Sequence, residues 1–426
     1  MRIRKECSLL GVQQELFLNL KHFVSFVRIV YTQKTLLTLF LKLFKLIFMK
    51  YTYLLILNIF FFSCGNKPST SGKIINDTIK IEIDTINVES LVLDSVANSY
   101  EIETNIVNEH IYVLDKLFCN LYQFGANGEL ENIKLGQGHS KSETSMGRIA
   151  GCAFDNAGSF VLVDYQGAYS MYNNEIFLKK NIIADYGKKD KSLLKSVECY
   201  DNPIVYTKFY NNLVCRLYDS VLYFNVDFLT PVYNILDTPN EHLPNVYSIM
   251  SIDFGNDGKS KLYKKGLPNC YRDETQAKAL FTRSIFDISS KGEFMVSYEA
   301  DSLIYMFNKD FLDAKVFGRS GRDMNTDYRI CHNLKDFGKY YIEEHEVKGH
   351  YTGLEYVDDT GLLLRSYRKG SHSSSDGLQI YRNGTLIADL SVPKGFCPIG
   401  YIAPYYYSKV IADEEKGKLM VYRFKL

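Results

Sequence analysis

Residues 111–138 read IYVLDKLFCNLYQFGANGELENIKLGQG, and residues 294–321 read FMVSYEADSLIYMFNKDFLDAKVFGRSG. The two stretches align without a gap at an offset of 183 residues. Each reads as strand, turn, strand, turn and strand, and each ends on closely spaced glycines. Self-similarity of this kind is typical of repeat architectures. The chain is therefore predicted to be assembled from repeated units of short β-strands.

Two shorter matches extend the repeat. Residues 154–174 resemble residues 286–307, and residues 356–367 repeat a turn glycine followed by an apolar strand. Near the start of this region, Ile79, Ile81 and Ile83 alternate with polar residues, which is the period-2 pattern of a half-buried strand. The pattern predicts an all-β fold.

The repeat predicts a six-bladed β-propeller with four antiparallel strands in each blade. The last blade supplies only three strands, and a strand from Thr78–Val88 is expected to complete it and close the ring. Closure in this way hides both sheet edges. A seven-bladed ring that uses residues 240–279, and a pair of β-sandwiches, remain alternatives. The units are placed near residues 100–135, 147–182, 203–236, 280–318, 351–392 and 401–426.

Three short motifs carry a family resemblance. Residues 154–164 and 134–138 resemble NHL-type and TolB-like propellers, and residues 317–328 resemble a motif of six-bladed β-propeller lipoproteins of Gram-negative gut anaerobes. The resemblance covers residues ~75–426, although the loop at residues 136–141 lacks the Pro-Gly that often follows in such relatives. The absence of Trp excludes Trp-Asp repeats. The resemblance implies an envelope-anchored binding or scaffold protein.

The N-terminal part has a different composition from the rest. Residues 1–50 carry nine basic and two acidic residues, so the remaining chain has a net charge of −6. We interpret residues 1–48 as a mis-assigned start or a leader, residues 49–63 as a lipoprotein signal peptide, and residues 64–76 as a tether. Cys64 resembles the acylated cysteine of a lipobox and is the predicted lipid attachment site. Residues 77–426 are predicted to form one propeller domain in the bacterial envelope, on either side of the outer membrane.

The composition also restricts the partners. An acidic mature chain does not favour nucleic acid, and the nine cysteines include no CxxC pair. We expect no cofactor and no metal site. The expected partner is a small molecule, a glycan or an envelope protein.

Strand parity predicts where a ligand would bind. Loops between strands two and three of a blade, and between successive blades, emerge together on one face, and here they are the long ones. We place the binding face there, around the mouth of the central channel. The candidate contacts are the ends of the second strands and nearby loop residues, namely Asp115, Asp164, Tyr298, Tyr367, Arg319, Arg322, Arg368 and His372.

The favoured function is a binding or protein-interaction module without chemistry. No catalytic residue is assigned, because neither G-x-S-x-G nor a local Cys/His pair appears. The cluster Glu343–Glu346 with His350 is interpreted as a solvated charged hairpin. The alternative is a propeller enzyme, such as a hydrolase, a lactonase-like protein or a polysaccharide lyase, acting at the channel mouth.

Overall fold

The computed structural model describes residues 73–74, 79–165, 167–173, 180–183, 196–209, 212–228, 230, 232–312 and 314–426. The predicted leader, signal peptide and tether, including Cys64, lie outside these residues apart from Lys73–Ile74. The described chain from residue 73 onward belongs to one compact unit.

Six antiparallel sheets of four main strands form a six-bladed β-propeller, as the repeat predicted. From the innermost strand outward, the blades are Ile102–Val107, His110–Asp115, Asn120–Phe124 and Leu130–Leu135 (blade 1); Ile149–Phe154, Phe160–Asp164, Ala168–Tyr172 and Lys180–Ile183 (blade 2); Cys215–Tyr218, Val221–Asp227, Tyr247–Asp253 and Lys259–Lys265 (blade 3); Ser284–Ile288, Phe294–Tyr298, Asp301–Phe307 and Lys315–Phe317 (blade 4); His350–Val357, Leu362–Arg368, Ser375–Arg382 and Thr385–Pro393 (blade 5); and Pro398–Ile402, Tyr405–Asp413, Lys418–Phe424 and Val88–Val92 (blade 6).

The N-terminal strand closes the ring, but it is not the strand expected. Val88–Val92 pairs with Lys418–Phe424, so the predicted segment Thr78–Val88 contributes only its last residue. Ile79 instead bridges in parallel to Leu386 on the outer strand of blade 5. Further out, Lys73–Ile74 pairs in parallel with the outer strand of blade 4. The described parts of this segment thus lie along the outer edges of blades 4, 5 and 6 in turn.

Blade 3 corrects a second expectation. The region placed at residues 203–236 contains only the first two strands, and the third and fourth, Tyr247–Asp253 and Lys259–Lys265, follow an insertion. Residues 240–279 therefore complete blade 3 and do not form a seventh blade. A short strand at Thr207–Lys208 also pairs with the end of Val221–Asp227.

The helical elements lie in the connections. They are α1 (Pro239–Asn245), α2 (Cys270–Asp273), α3 (Thr275–Lys278) and α4 (Leu334–Val347), with 3-10 turns at Val197–Asp201, Pro203–Val205 and Ala279–Phe281. Helix α4 contains Glu343–Glu346, so the prediction of a charged hairpin at this place was wrong. Asn333 caps the helix, its side chain accepting from the N–H groups of Lys335 and Asp336. No helix in the described ranges is long and apolar enough to cross a membrane.

The two faces of the disc differ as strand parity requires. The innermost strands contact one another around the ring and surround the central channel. Tight connections such as Asn108–Glu109 and Asn383–Gly384 lie on one face, which we call the turn face. The opposite face, which we call the loop face, carries residues 136–148, 232–246, 266–283 and 318–349. Buried Val, Ile, Leu, Tyr and Phe side chains fill the space between the blades.

Candidate functional site

Two of the candidate residues, Asp115 and Asp164, terminate second strands and are buried in their own loops. The Asp115 carboxylate accepts hydrogen bonds from Ser99 N (2.5 Å) and Oγ (2.7 Å), Leu117 N (2.9 Å) and Phe118 N (2.7 Å). Asp164 Oδ1 accepts from Ala168 N at 2.6 Å. These contacts hold the loops of blades 1 and 2 in place.

Tyr298 belongs to blade 4, whereas Arg368 and His372 belong to blade 5. The Tyr298 hydroxyl is buried and lies 2.9 Å from Ser248 Oγ. Arg368 donates from Nη1 to the carbonyl oxygen of His345 in α4 at 3.1 Å, and His372 is exposed in the adjoining loop of blade 5.

The remaining three candidates, Arg319, Arg322 and Tyr367, meet at the periphery between blades 4 and 5. There a cleft of about 380 Å³ opens, which we call the outer cleft. One side is aliphatic and the other is polar. The lining residues are Ile79, Ile81, Ile83, Asp84, Arg319, Ser320, Arg322, Leu386 and Asp389.

The aliphatic side of the outer cleft comes from the N-terminal segment. Lys80 N and Glu82 N donate to Leu386 O (3.1 Å) and Ile387 O (2.9 Å), which holds this segment extended along blade 5. In an extended chain alternate side chains share a side, and Ile79, Ile81 and Ile83 all line the cleft. Ile79 and Ile81 are 49% and 46% exposed. The period-2 pattern thus identified a real face, although it belongs to a cleft wall and not to the closing strand.

A buried polar network in blade 5 supports the polar side. Arg365 is fully buried, and its Nη2 donates to Gln379 Oε1 (2.6 Å), Arg319 O (2.7 Å) and Ser302 O (3.0 Å). Its guanidinium stacks on the Tyr351 ring at 3.9 Å. A buried charge is stable only when its donors are satisfied, so this network fixes the loop that carries Arg319 and Arg322.

The Asp389 carboxylate at the cleft is also held in place, by hydrogen bonds from three neighbouring residues. Tyr367 Oη donates to Asp389 Oδ1 at 2.6 Å, and Gln379 Nε2 donates to Oδ2 at 3.2 Å. The backbone N–H of Arg322 donates to Oδ2 at 3.3 Å. Burial raises the pKa of Tyr367, and the charge of Asp389 raises it further. The hydroxyl therefore stays protonated and continues to donate.

Two glycines allow this arrangement. A Cβ on Gly377 would lie 1.9 Å from Tyr367 Cζ, and one on Gly321 would lie 2.6 Å from Tyr367 Cε2. The ring of Tyr367 is thus in direct contact with backbone on two sides. Close approach is the reason for glycine at both positions.

A second constellation, which we call the mouth cluster, comprises Arg283, Glu299, His345 and His350. It lies at the loop-face ends of blades 4 and 5. Arg283 Nη2 is 2.7 Å from Glu299 Oε1, and His345 Nε2 is 3.2 Å from Glu299 Oε2. His345 Nδ1 lies 2.8 Å from the carbonyl oxygen of Tyr341. Both ring nitrogens of His345 therefore face oxygen atoms.

Burial and neighbouring charges have different outcomes at the two titratable groups Glu299 and His350 of the mouth cluster. Burial alone would raise the pKa of Glu299, but Arg283 and His345 outweigh it and lower the pKa to about 2. Burial lowers the pKa of His350 to about 4. The Phe281 ring packs on both imidazoles, with centroids 4.4 Å from His345 and 5.5 Å from His350. The ion pairs of the cluster thus lie in a buried, largely aromatic setting, in which Arg283 Nε has no hydrogen-bond partner among the described residues.

The central channel holds a third group of charges. Arg216 Nε is 2.5 Å from Asp287 Oδ1, and its Nη2 is 3.1 Å from Glu355 Oε2. Asp287 Oδ2 also accepts from Tyr356 N at 2.6 Å. Burial and the charge of Asp287 raise the pKa of Glu355 well above its usual range, against the effect of Arg216. The two carboxylates therefore share one cation.

Sequence reasoning missed Arg365, Gln379 and Asp389, as well as the channel charges. A usable signal existed, because Arg365 interrupts the apolar run Leu362–Tyr367 and Asp287 interrupts the strand Ser284–Ile288. A charge in the middle of a buried strand requires a partner. Which partner it takes depends on strands distant in sequence. Among the described residues, no three His, Cys, Asp or Glu side chains are grouped to hold a metal ion.

The fold defines the protein as a six-bladed β-propeller. No family model and no curated protein matches the chain. A solved DUF4221 family member from Bacteroides vulgatus has a TM-score of 0.54 at 11% identity, covering 80% of this chain and 98% of that one. A Bacteroides fragilis protein described as exported has a TM-score of 0.47 at 13% identity, covering 82% of this chain and 99% of that one. A luciferin-regenerating enzyme has a TM-score of 0.38 at 12% identity, covering 80% of this chain and 96% of that one. The similarity concerns the fold.

Proposed function

We propose that this chain is a lipid-anchored binding module of the bacterial envelope and that its ligand occupies the outer cleft. The observation that carries the proposal is the cleft itself, where exposed aliphatic side chains face Arg319 and Arg322 on a rigid support. A concave, largely apolar site with a few fixed polar groups is the usual form of a small-molecule site. Its volume of about 380 Å³ lies within the range of such sites, roughly 300–1,000 Å³.

The envelope location rests on the N-terminal sequence. Cys64 follows an uncharged stretch from Tyr51 to Ser63 and precedes a polar tether. Export ascribed to a Bacteroides fragilis protein of similar fold agrees with this proposal. Acylation would place two chains on one residue, and two chains suffice for stable anchoring.

Anchoring is tested by metabolic labelling with an alkyne fatty acid in the native host. Wild-type protein is expected to carry the label and to sediment with the membranes. Cys64→Ala is expected to lose the label and appear in the soluble fraction, whereas Cys119→Ala, a buried cysteine of blade 1, retains both properties. Labelling that survives Cys64→Ala contradicts the assignment.

Binding at the cleft is tested by thermal shift with a panel of anions, cations and sugars, each with and without an aliphatic tail. The full chain carrying Cys64→Ala, which cannot be acylated at that position, is compared with the same chain carrying Ile81→Glu. A ligand of the cleft stabilises the first protein and leaves the second unchanged. Stabilisation of both proteins to the same extent, or of neither, contradicts the proposed site.

The channel carboxylates favour a second candidate function, a propeller hydrolase. General acid catalysis by carboxyl pairs relies on one group whose pKa is raised by its surroundings, and Glu355, close to Asp287 and sharing Arg216 with it, is such a group. Glu355→Gln would abolish hydrolysis of aryl ester, lactone or phosphate substrates in that case. Activity that persists in Glu355→Gln would contradict this second candidate.

A further inference from the structure

The lining of the outer cleft restricts the class of ligand, an inference that rests on the proposed function. Four branched aliphatic side chains, Ile79, Ile81, Ile83 and Leu386, form the apolar part. No aromatic ring is among the described lining residues, so a stacking platform for sugar rings or bases is lacking there. The apolar part therefore favours a flexible aliphatic body.

The charges on the opposite side select the head group. Asp389 is already satisfied, because three donors bind its two oxygens. Asp84 is exposed at the end of the N-terminal segment. Arg322 is exposed, and within the described residues no ion pair or hydrogen bond involves its guanidinium. A guanidinium offers a planar fork of donors that matches a carboxylate or phosphate.

The support beneath the arginines adds specificity. The carbonyl oxygen of Arg319 accepts from Tyr351 Oη (2.8 Å) and Arg365 Nη2 (2.7 Å), and that of Arg322 accepts from Tyr367 Oη (3.1 Å). The loop backbone is thus held at both arginines. Little conformational entropy remains to be lost there on binding.

From these observations we propose that the outer cleft binds a short-chain aliphatic anion, with its tail on the isoleucines and its head group at Arg322. The ligand is a free amphiphile of one chain. The volume of the cleft, about 380 Å³, accommodates a small molecule.

The proposal is tested by calorimetric titration of the full chain carrying Cys64→Ala with four probes. Octanoate, octylamine and octyl glucoside share one tail and differ in charge, and acetate retains the head group without the tail. Octanoate is expected to bind at one site, at least tenfold more tightly than each of the other three. Equal binding of octylamine or octyl glucoside overturns the anion assignment, and equal binding of acetate overturns the role of the tail.

Variants locate the site. Arg322→Gln and Ile81→Asn are each expected to weaken octanoate binding about tenfold or more. Arg272→Gln, which removes another exposed arginine, in α2 before blade 4, is the matched control and is expected to leave binding unchanged. Because Arg322 and Ile81 are exposed, unfolding midpoints should stay close to that of the parent protein. Unchanged octanoate affinity in Arg322→Gln contradicts the proposal.

A crystal structure with 8-bromooctanoate provides an independent measurement. The bromine anomalous signal is expected beside Ile79–Ile83, with the carboxylate at Arg322. Bromine elsewhere, or the reverse orientation, overturns the proposal. Co-sedimentation with phosphatidylglycerol vesicles that disappears in Arg322→Gln would identify a membrane headgroup in place of a free amphiphile, and would also overturn it.

These outcomes are separate from failure of the proposed function. If octylamine or octyl glucoside binds and Ile81→Glu abolishes that binding, the cleft remains the binding site and only the ligand class is wrong. If none of the compounds in the thermal-shift panel depends on Ile81, the proposed function itself fails.

Discussion

The mouth cluster and the outer cleft both contain arginine beside carboxylate, yet they differ in what the arginine can still contact. Arg283 is buried and paired with Glu299, which also receives His345. Arg322 is exposed, and only its backbone is committed, to Asp389 and Tyr367. The first arrangement stabilises the loop face, and the second leaves a guanidinium available to a ligand. The residue type alone therefore does not tell whether an arginine can bind a ligand, whereas its burial and its partners do.

Replacing the buried arginine of the mouth cluster is expected to have the largest effect on stability. Arg283→Gln leaves the Glu299 carboxylate buried with only His345 beside it, and breaking a buried pair from one side costs about 3–5 kcal/mol. We expect a loss of this size in the free energy of unfolding, measured by urea denaturation at pH 7. The exposed control Arg272→Gln should change it by less than about 0.5 kcal/mol. A small effect of Arg283→Gln would mean that the mouth cluster does not stabilise the fold.

The packing that supports the outer cleft is tested at Gly377. A Cβ there would overlap Tyr367 Cζ at 1.9 Å, so Gly377→Ala must displace the ring or the strand, at about 1–3 kcal/mol. Gly338 in α4 has no atom within 4 Å of an added Cβ, and Gly338→Ala should stabilise the protein by about 0.5–1 kcal/mol. Denaturation of both variants measures the difference. Equal effects in both would contradict the close contact at Tyr367.

The mouth cluster should also make stability depend on pH. The pKa of His350 is about 4 in the folded protein, against a usual 6.5. The unfolded chain therefore takes up a proton first, and stability is lost as pH falls from 6.5 towards 4. Between pH 7 and pH 5 this single group accounts for about 2 kcal/mol. His350→Phe should remove that part of the loss, measured as the difference between the two proteins at both pH values.

Glu299 acts in a lower pH window. Its pKa of about 2 lies below the usual 4.5, so its contribution is complete above pH 4.5 and is lost as pH falls towards 2. The prediction for His350 is contradicted if the stability of His350→Phe still depends steeply on pH between pH 7 and pH 5, because other groups would then dominate in that range.

The smallest expected effect lies at the outer cleft. Arg322→Gln keeps both backbone hydrogen bonds and changes only an exposed side chain, so the free energy of unfolding should change by less than about 0.5 kcal/mol. Together with the titration above, this separates a binding residue from a structural one. A loss comparable to that of Arg283→Gln would place Arg322 with the structural residues.

The repeat found in sequence was a reliable guide to the blades because it reflects local geometry. The second, third and fourth strands of blades 1 and 4 lie where the offset of 183 places them. The closing strand and blade 3 were misplaced for a different reason. Ile79–Ile83 and Val88–Val92 are both compatible with an extended edge, and helix α1 separates the halves of blade 3. Pattern alone does not say which edge a strand joins.

The candidate residues divide in the same way. Strand parity placed the long connections on one face, and three of the eight candidates, Arg319, Arg322 and Tyr367, come together at the outer cleft or directly beneath it. The cleft lies at the periphery, whereas the sequence analysis had pointed to the channel mouth. Its other wall comes from residues about 240 positions earlier in the chain, which no local motif could indicate.

Strand alternation, turn glycines and repeat spacing are local properties of the chain, and they were enough to predict the all-β propeller, its four-stranded units and the face that carries the long connections. Which charges are buried and which remain accessible depends on contacts between distant parts of the chain. Arg365 and Arg322 are the same residue type in the sequence. Arg365 is enclosed by Gln379, Tyr351 and the carbonyl of Arg319, whereas Arg322 lines a cleft. The difference depends on strands that meet only when the ring closes.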